Sequence, residues 1–260
     1  MKIISIMNLK GGVGKTVTAI NMAAILSRDY QAPVLLVDAD SQGNLSEFVR
    51  AGLPEKDCRN EGGLADLLRG VVRGVDATIR ATAIEGVDLL PATDDLMELD
   101  VSTVRSGKSD PMHLVDFLTD CDADYAYCII DCPPAFNAAA TAALVAADEV
   151  LIPMKLDAFG LRGMTNLLAQ VKNMQKVNPG LEVAGILPTM YYKTTQMDYA
   201  EKLLRESGLP VYSHIRRSTK VDEMTFAQLP IIKSSPKSGA CRDYRRFVAE
   251  WLRGGEQNAV

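Results

Sequence analysis

The sequence lacks the features of a secreted, membrane-spanning or disordered protein. Its five cysteines are an odd number without a Cys-x-x-Cys pair, which favours a reducing cytoplasm over a disulfide framework. Apolar runs such as 138–147 fall well short of the roughly 20 residues that a transmembrane helix needs. A glycine-rich loop, rather than a small-residue cleavage site, follows the first residues, so no secretory signal is expected. Proline (12) and glycine (19) occur at ordinary frequency among the 260 residues, which excludes a fibrous or mainly disordered chain.

Basic residues are concentrated in the C-terminal third, although the formal net charge of the whole chain is -5. The stretch from Pro188 to Arg246 contains 11 Lys and Arg residues and 6 Asp and Glu residues. Such a local excess is typical of a surface that binds a polyanion. A solvated helical face has a similar composition, so charge alone leaves both interpretations open.

Short β-rich runs alternate with helical patterns along the whole chain. Strands are predicted at 3–8, 34–38, 87–91, 126–131, 149–153 and 183–187, and helices at 15–28, 112–118, 137–147, 161–176, 195–207 and 240–252. Several strands are apolar on both faces, which predicts an α/β fold with a doubly wound, mostly parallel twisted sheet and helices on both faces. Two less regular regions, 55–80 and 224–237, are predicted to be surface excursions of a single domain that covers 1–260.

A glycine-rich loop joins the first predicted strand to the first predicted helix. Its sequence is Lys-Gly-Gly-Val-Gly-Lys-Thr at 10–16. Glycines let successive backbone N–H groups turn toward a phosphate, and the helix adds its positive N-terminal end. Lys15 is expected to reach the β- and γ-phosphates, and the Thr16 hydroxyl to bind Mg²⁺. The pattern is a variant of GxxxxGK[ST], because Leu9 stands where the first glycine belongs and Lys10 is an additional lysine.

The additional lysine has no role at its own phosphates, which Lys15 already serves. So early in the loop, Lys10 is expected to point away from its own pocket and to neutralise phosphate charge on a facing subunit. It would then act as an arginine finger does, and nucleotide binding would hold a dimer together.

Two further predicted strands end in carboxylates. Val34–Asp38 leads into Ala-Asp-Ser-Gln-Gly-Asn, which places Asp40 just beyond the strand, and a second apolar strand ends at Asp131 before Cys-Pro-Pro. Carboxylates at the ends of parallel strands can hold Mg²⁺ through water or orient an attacking water. Acids in such places are also common turn and helix caps. Cys128 and Cys132 have no second pair nearby and are expected to be packing residues.

Through these three motifs in order, and on to the C-terminus, the chain resembles the deviant Walker A ATPases of the ParA/MinD family, in particular the chromosomal ParA (Soj) type. The resemblance implies a P-loop NTPase that uses ATP and Mg²⁺. Lys10 would be the signature lysine that crosses an ATP sandwich dimer, Asp40 would activate water with Asp38 in support, and Asp131 would be the Walker B carboxylate. The resemblance implies that Lys10, Lys15 and Asp40 are catalytic and that Thr16, Asp40 and Asp131 are magnesium ligands. The nucleotide-binding residues that it implies are Lys10, Gly11, Gly12, Val13, Gly14, Lys15, Thr16, Val17 and Thr189. Of these, Thr189 would lie near the adenine.

A second interpretation of the base pocket rests on Thr-Lys-Val-Asp at 219–222. This sequence matches the TKxD variant of the guanine-reading motif of signal-recognition-particle GTPases, in which the acid pairs with guanine. Those GTPases lack the paired Lys10-Gly11-Gly12 and differ after the Walker B acid. ATP is therefore the favoured nucleotide.

Exposed cations of the basic third are candidates for binding double-stranded DNA without sequence preference, because counterion release rewards charge regardless of sequence. The resemblance makes Lys193 and Lys220 counterparts of the family's two DNA-contacting arginines. The DNA-binding candidates are Lys193, Arg216, Arg217, Lys220, Lys233 and Arg242. No helix-turn-helix precedes the phosphate loop, so operator recognition is not expected.

The resemblance also implies partners: a second copy of the chain in an ATP-dependent homodimer, and a ParB-like centromere-binding protein that stimulates slow ATP hydrolysis. Together these imply DNA partitioning in a bacterial, nucleoid-associated cytoplasmic setting. A membrane-cycling regulator of the MinD kind is an alternative, but the apolar residues of 247–255 are typical of a core-facing stripe, so membrane binding is not expected. A metal-cluster carrier would need paired cysteines, which the sequence lacks.

Overall fold

The computed structural model describes residues 1–53, 62–71, 74–75, 78–99, 103–104, 106–206 and 208–257. Its strands are β1 (Lys2–Ile6), β2 (Val34–Asp38), β3 (Arg80–Ala81), β4 (Val87–Leu90), β5 (Tyr127–Asp131), β6 (Glu149–Lys155) and β7 (Glu182–Thr189). Its helices are α1 (Lys15–Tyr30), α2 (Asn44–Arg50), α3 (Leu64–Leu68), α4 (Met112–Asp120), α5 (Ala138–Ala146), α6 (Ala158–Met174), α7 (Thr195–Arg205), α8 (Thr219–Ala227), α9 (Ile231–Ser234) and α10 (Gly239–Gln257). A 3₁₀ helix spans Asp94–Glu98.

The strands form one sheet in the order β3-β4-β2-β5-β1-β6-β7. All neighbours pair in parallel except β3 and β4. Helices cover both faces: residues of α1, α2, α9 and α10 pack into one hydrophobic cluster, and residues of α3 to α6 pack into the other. The prediction of a doubly wound, mostly parallel sheet is confirmed.

The central strands are buried on both faces, which explains their continuous apolar sequences. Every residue of β2 is buried, as are the last four residues of β5. Parallel strands covered by helices on both sides have no solvent-facing set of side chains, so polar residues appear where each strand ends. In β2 and β5 those terminal residues are Asp38 and Asp131, which are direct partners in the parallel register.

The prediction of two irregular excursions is wrong where the structure describes them. Helix α3 and the start of β3 lie within 55–80, although 54–61, 72–73 and 76–77 fall outside the described residues. The region 224–237 contains the end of α8 and all of α9, and Met224, Ile231 and Ile232 are buried in the core. These helices are too short for a 3.6-residue period to show in the sequence, so packing rather than periodicity defines them.

The C-terminal helix α10 presents its apolar stripe to the core, as the sequence predicts. Phe247, Val248 and Trp251 are buried, and the Trp251 indole N–H donates to the buried Glu149 at 2.9 Å. Within the described residues, no helix combines the length and apolarity needed to cross a bilayer.

Candidate functional site

The loop between β1 and α1 has the backbone of an anion-binding turn. Gly12 and Gly14 have φ values of 68° and 87°, in the left-handed region that favours glycine. No described atom lies within 4 Å of where a Cβ would stand on Gly11 or Gly12, so the loop is open on that side. Gly14 caps α1, and no described side chain satisfies the first N–H groups of the helix. These unpaired donors, with the helix dipole, favour a phosphate at this position.

Lys15 lies at the centre of the site. Its side chain is buried, and burial lowers the pKa of its ammonium group while the neighbouring charge of Asp131 raises it. A desolvated ammonium is a strong partner for an incoming polyanion, because little water must be displaced from it. The position of Lys15 fits the predicted contact with phosphates.

Two carboxyls lie side by side at the ends of β2 and β5, and both are fully buried. Burial, and then the charge of Asp38, raise the pKa of Asp131 to about 8. Burial raises the pKa of Asp38 to about 6, although the hydrogen bonds from Ser46 lower this pKa in part. Two carboxylates this close cannot both ionise easily without a cation.

A divalent cation fits beside Asp131. The Asp131 carboxyl lies close to the Thr16 hydroxyl, and its Oδ1 is buried without a hydrogen-bond partner among the described residues. A buried carboxylate oxygen without a hydrogen-bond partner can accept a hydrogen bond from a water molecule that is bound to magnesium. No group of three His, Cys, Asp or Glu side chains in the described part of the chain could hold a metal alone. Thr16 and Asp131 could therefore hold magnesium only together with nucleotide phosphates and water, and the charge of Asp40 also acts on this site.

A hydrogen-bond network that the sequence analysis missed holds the loop that carries Asp40. Asp38 accepts from the Asp40 backbone N–H at 3.2 Å, and from the Ser46 N–H and hydroxyl at 2.8 and 2.7 Å. The Ser46 hydroxyl oxygen also accepts from the Ala92 N–H at 3.1 Å, beyond the end of β4. Asp38 thus supports Asp40 through the backbone. A serine eight residues after an acid gave no signal in the sequence.

Lys10 is paired within its own subunit. Its ammonium group donates to both carboxylate oxygens of Asp157 at 2.9 and 2.8 Å. Asp157 also caps α6 by accepting from the Gly160 N–H at 2.8 Å, and Lys155 lies 3.5 Å from it. The predicted contact of Lys10 with a facing subunit requires its side chain to leave Asp157.

A cavity of about 340 Å³ adjoins the loop. It is lined by Gly14, Val17, Lys155, Thr189, Met190, Tyr192, Ile215, Arg216, Arg217, Ser218, Val221, Asp222 and Tyr244. Its position beside the phosphate-binding end of α1 suits a nucleoside. The predicted nucleotide-binding residues Val17 and Thr189 both reach it, and the Thr189 hydroxyl donates to the Val13 carbonyl at 2.8 Å.

The Thr-Lys-Val-Asp sequence forms the first turn of α8 instead of a loop after a strand. Ser218 caps this helix, and Asp222 lines the cavity while Lys220 pairs with Glu223. An acid in the first turn of a helix is also stabilised by the helix dipole. The motif therefore has an ordinary structural role in α8.

The six DNA-binding candidates do not form one cluster. Arg217 is exposed and lines the cavity, and the exposed Lys193 and Lys220 are neighbours in sequence of the lining residues Tyr192 and Val221. Arg216 lines the same cavity, but its guanidinium group binds the buried Asp243 through two hydrogen bonds of 2.6 and 2.9 Å. Lys233 borders a different cavity and donates to the Ala83 carbonyl at 3.3 Å, and Arg242 donates to the Lys237 carbonyl at 2.9 Å.

Comparisons with known proteins agree with this geometry. A family model described as an AAA domain matches residues 1–183. The chain is 32% identical over 256 residues to the chromosome partitioning protein ParA of Caulobacter vibrioides, covering 96% of this chain and 93% of that protein. It is 34% identical over 261 residues to the sporulation initiation inhibitor protein Soj of Bacillus subtilis, and this match covers 98% of this chain and 99% of that protein. The solved structure of cobyrinic acid a,c-diamide synthase from Mycobacterium smegmatis, with bound ATP analog and magnesium, matches with a TM-score of 0.81 at 29% identity, covering 99% of this chain and 97% of that one.

Proposed function

Because the chain belongs to the ParA/MinD family of AAA-domain ATPases, and so hydrolyses ATP with Mg²⁺, we propose that it partitions DNA through an ATP-dependent dimer. One observation carries the proposal: the phosphate loop has two lysines, of which Lys15 is buried at the start of α1 whereas Lys10 is held at the side of the loop by Asp157. The names of the relatives, ParA and Soj, support partitioning as the process.

In the proposed cycle, the loop residues 10–16 bind the triphosphate of ATP, and the adjoining cavity receives the adenosine. Lys15 neutralises the β- and γ-phosphates, and Asp40 orients the attacking water. Magnesium, held by Thr16 with Asp40 and Asp131, supplies neutralisation of the charge that develops on the phosphates. Magnesium would favour the ionised form of Asp131, so the proton that burial retains on this carboxyl is expected to be released when Mg-ATP binds.

Lys10 then leaves Asp157 and reaches the nucleotide of a second copy. This exchange replaces one carboxylate partner by a more highly charged phosphate group, so it is favourable only when ATP is bound on the facing subunit. The dimer joins the basic surfaces around Lys193 and Lys220 from both subunits. Joining two weak DNA-binding surfaces raises the affinity for non-specific double-stranded DNA by multivalency.

Hydrolysis removes the γ-phosphate, and Lys10 returns to Asp157, which dissolves the dimer and releases DNA. A ParB-like centromere-binding protein is the proposed stimulator, and the nucleoid in the bacterial cytoplasm is the proposed location. Residues 1–260 act as one ATPase domain in this proposal.

The test is whether Lys10 is required for the dimer. In an Asp40→Ala background, which is expected to bind ATP without hydrolysing it, size-exclusion chromatography with light scattering should show a dimer with ATP and Mg²⁺. Adding Lys10→Ala should give a monomer that still binds ATP, whereas adding Lys176→Ala, which changes an exposed lysine at the end of α6, should leave the dimer intact. A Lys10→Ala protein that still dimerises with ATP contradicts the proposal.

A further inference from the structure

Thr189, the last residue of β7, is joined directly to the phosphate loop. Its side chain is buried, and its hydroxyl donates to the Val13 carbonyl at 2.8 Å across 176 positions of sequence. Its methyl group, Cγ2, lies 3.9 Å from where a Cβ on Gly14 would stand. The side chain therefore fixes the position of the Val13–Gly14 peptide from outside the loop.

The direction of the Val13 carbonyl decides the direction of the next N–H group. In a planar trans peptide the C=O and N–H bonds point to opposite sides. With the Val13 carbonyl held toward Thr189, the Gly14 N–H must point to the other side of the peptide. Gly14, at φ 87°, has the conformational freedom to rotate away, so a hydrogen bond on this peptide has a large effect on its orientation.

The strand end that carries Thr189 is itself held by main-chain hydrogen bonds. Tyr191 donates to the Ile215 carbonyl at 3.0 Å, and Arg217 donates to the Tyr191 carbonyl at 2.8 Å. Thr189 also pairs in register with Lys155 of β6. The hydroxyl therefore acts from a rigid support, as a positioning group must.

We infer that Thr189 is a positioning residue for ATP, whose hydroxyl aims the Gly14 N–H at the phosphates. This role differs from donation of a hydrogen bond to the adenine, because the single hydroxyl proton of Thr189 is already donated to Val13. The inference depends on ATP binding at the loop and not on dimerisation or DNA binding.

The test uses Thr189→Val, which removes the hydroxyl and keeps the shape of the side chain. Loss of one hydrogen bond predicts about 10-fold weaker binding of Mg-ATP, with KM raised by a similar factor and kcat nearly unchanged. Thr189→Ser, which keeps the hydroxyl, should restore binding to within about 3-fold of the original protein. Binding is measured with a fluorescent ATP analogue, and the melting temperature without nucleotide reports on folding.

Competition by inorganic tripolyphosphate with Mg²⁺ separates positioning from base contact, because tripolyphosphate has no base. A positioning role predicts that Thr189→Val weakens tripolyphosphate and ATP by the same factor. Weakened ATP with unchanged tripolyphosphate, or unchanged ATP binding, overturns the inference. If Thr189→Val does not fold, Thr189→Cys, with a weaker donor, should show an intermediate loss for both ligands, and no loss for either overturns it. Failure of the dimer in the Lys10 experiment leaves this result unaffected, because the nucleotide is bound here by a single subunit.

Discussion

The fold strongly alters the protonation of Asp131. Its pKa is raised to about 8 by burial and by the charge of Asp38, so the folded protein without nucleotide keeps a proton that the unfolded chain releases near pH 4. Between those two values the folded state binds more protons than the unfolded state. Its stability therefore falls as pH rises toward about 8, and above that value the loss is complete.

We predict that Asp131→Asn removes most of this dependence. An amide does not titrate, so the melting temperature of the nucleotide-free variant should decline less than that of the original protein from about pH 5.5 to about pH 8.5. Differential scanning fluorimetry across this range measures the effect. Asp120→Asn, a change to an exposed acid of α4, is the matched control and should follow the original curve. Parallel curves for Asp131→Asn and the original protein would contradict the pKa assignment.

The sequence predicted which residues belong to the candidate site, but it did not predict which residues they pair with. The loop lysines, Asp40 and Asp131 were predicted because glycine spacing and strand-terminal acids have a chemical signature. The Lys10–Asp157 and Arg216–Asp243 pairs join distant parts of the chain, and only the fold brings them together. Arg216 illustrates the consequence: its charge suggested DNA binding, yet its guanidinium group is held by Asp243.

Among the secondary-structure elements, α2 is the one that supports the Asp40 loop. It follows the Asp40 loop, and Ser46 in its first turn connects Asp38 to the backbone of Ala92. The position of Asp40 thus depends on how Ser46 of α2 links the end of β2 to the segment that follows β4. The sequence did not predict this seven-residue helix, because it is too short to show a period and begins at Asn44 without a strong cap.

Ser46→Ala is expected to affect both stability and chemistry. It leaves a buried carboxylate and a buried N–H without their hydroxyl partner, which costs about 1–3 kcal/mol of unfolding free energy. Because Asp40 is positioned by the same network, kcat should fall more than KM rises. Steady-state ATPase assays and chemical denaturation measure the two effects. Ser106→Ala, which changes an exposed serine, should alter neither, and an unchanged kcat in Ser46→Ala would remove α2 from the positioning of Asp40.

At the scale of the whole molecule, the basic residues divide into two groups that charge counting could not separate. Lys193 and Lys220 lie near the nucleotide cavity, whereas Lys233 borders a cavity of about 630 Å³ with Arg28, near the C-terminal end of α1. A 16-residue helix is about 24 Å long, and α1 separates the phosphate loop from this second region. The group near the nucleotide is the one that a nucleotide-dependent dimer can bring together.

We therefore predict different effects of two charge reversals on DNA binding. Lys193→Glu with Lys220→Glu should abolish retention on double-stranded DNA in the presence of a non-hydrolysable ATP analogue, while ATP binding remains. Lys233→Glu with Arg242→Glu should leave most of the binding intact. Fluorescence anisotropy at several salt concentrations measures affinity, and single replacements of Lys193 or Lys220 should each lower the salt slope by about 1. Equal losses from both double variants would place the DNA surface elsewhere.

The backbone hydrogen bonds at the two borders of the sheet limit how copies of this protein can associate. In the described residues, β3 at one border of the sheet consists only of Arg80 and Ala81. At the other border, the segment 210–217 forms hydrogen bonds with the outward-facing backbone N–H and C=O groups of β7 and of the residues just after it. Neither border offers a long row of free N–H and C=O groups, so a continuous intermolecular β-sheet is disfavoured. The proposed dimer would therefore form through other surfaces, where a bound ligand rather than backbone pairing can determine when two copies stay together.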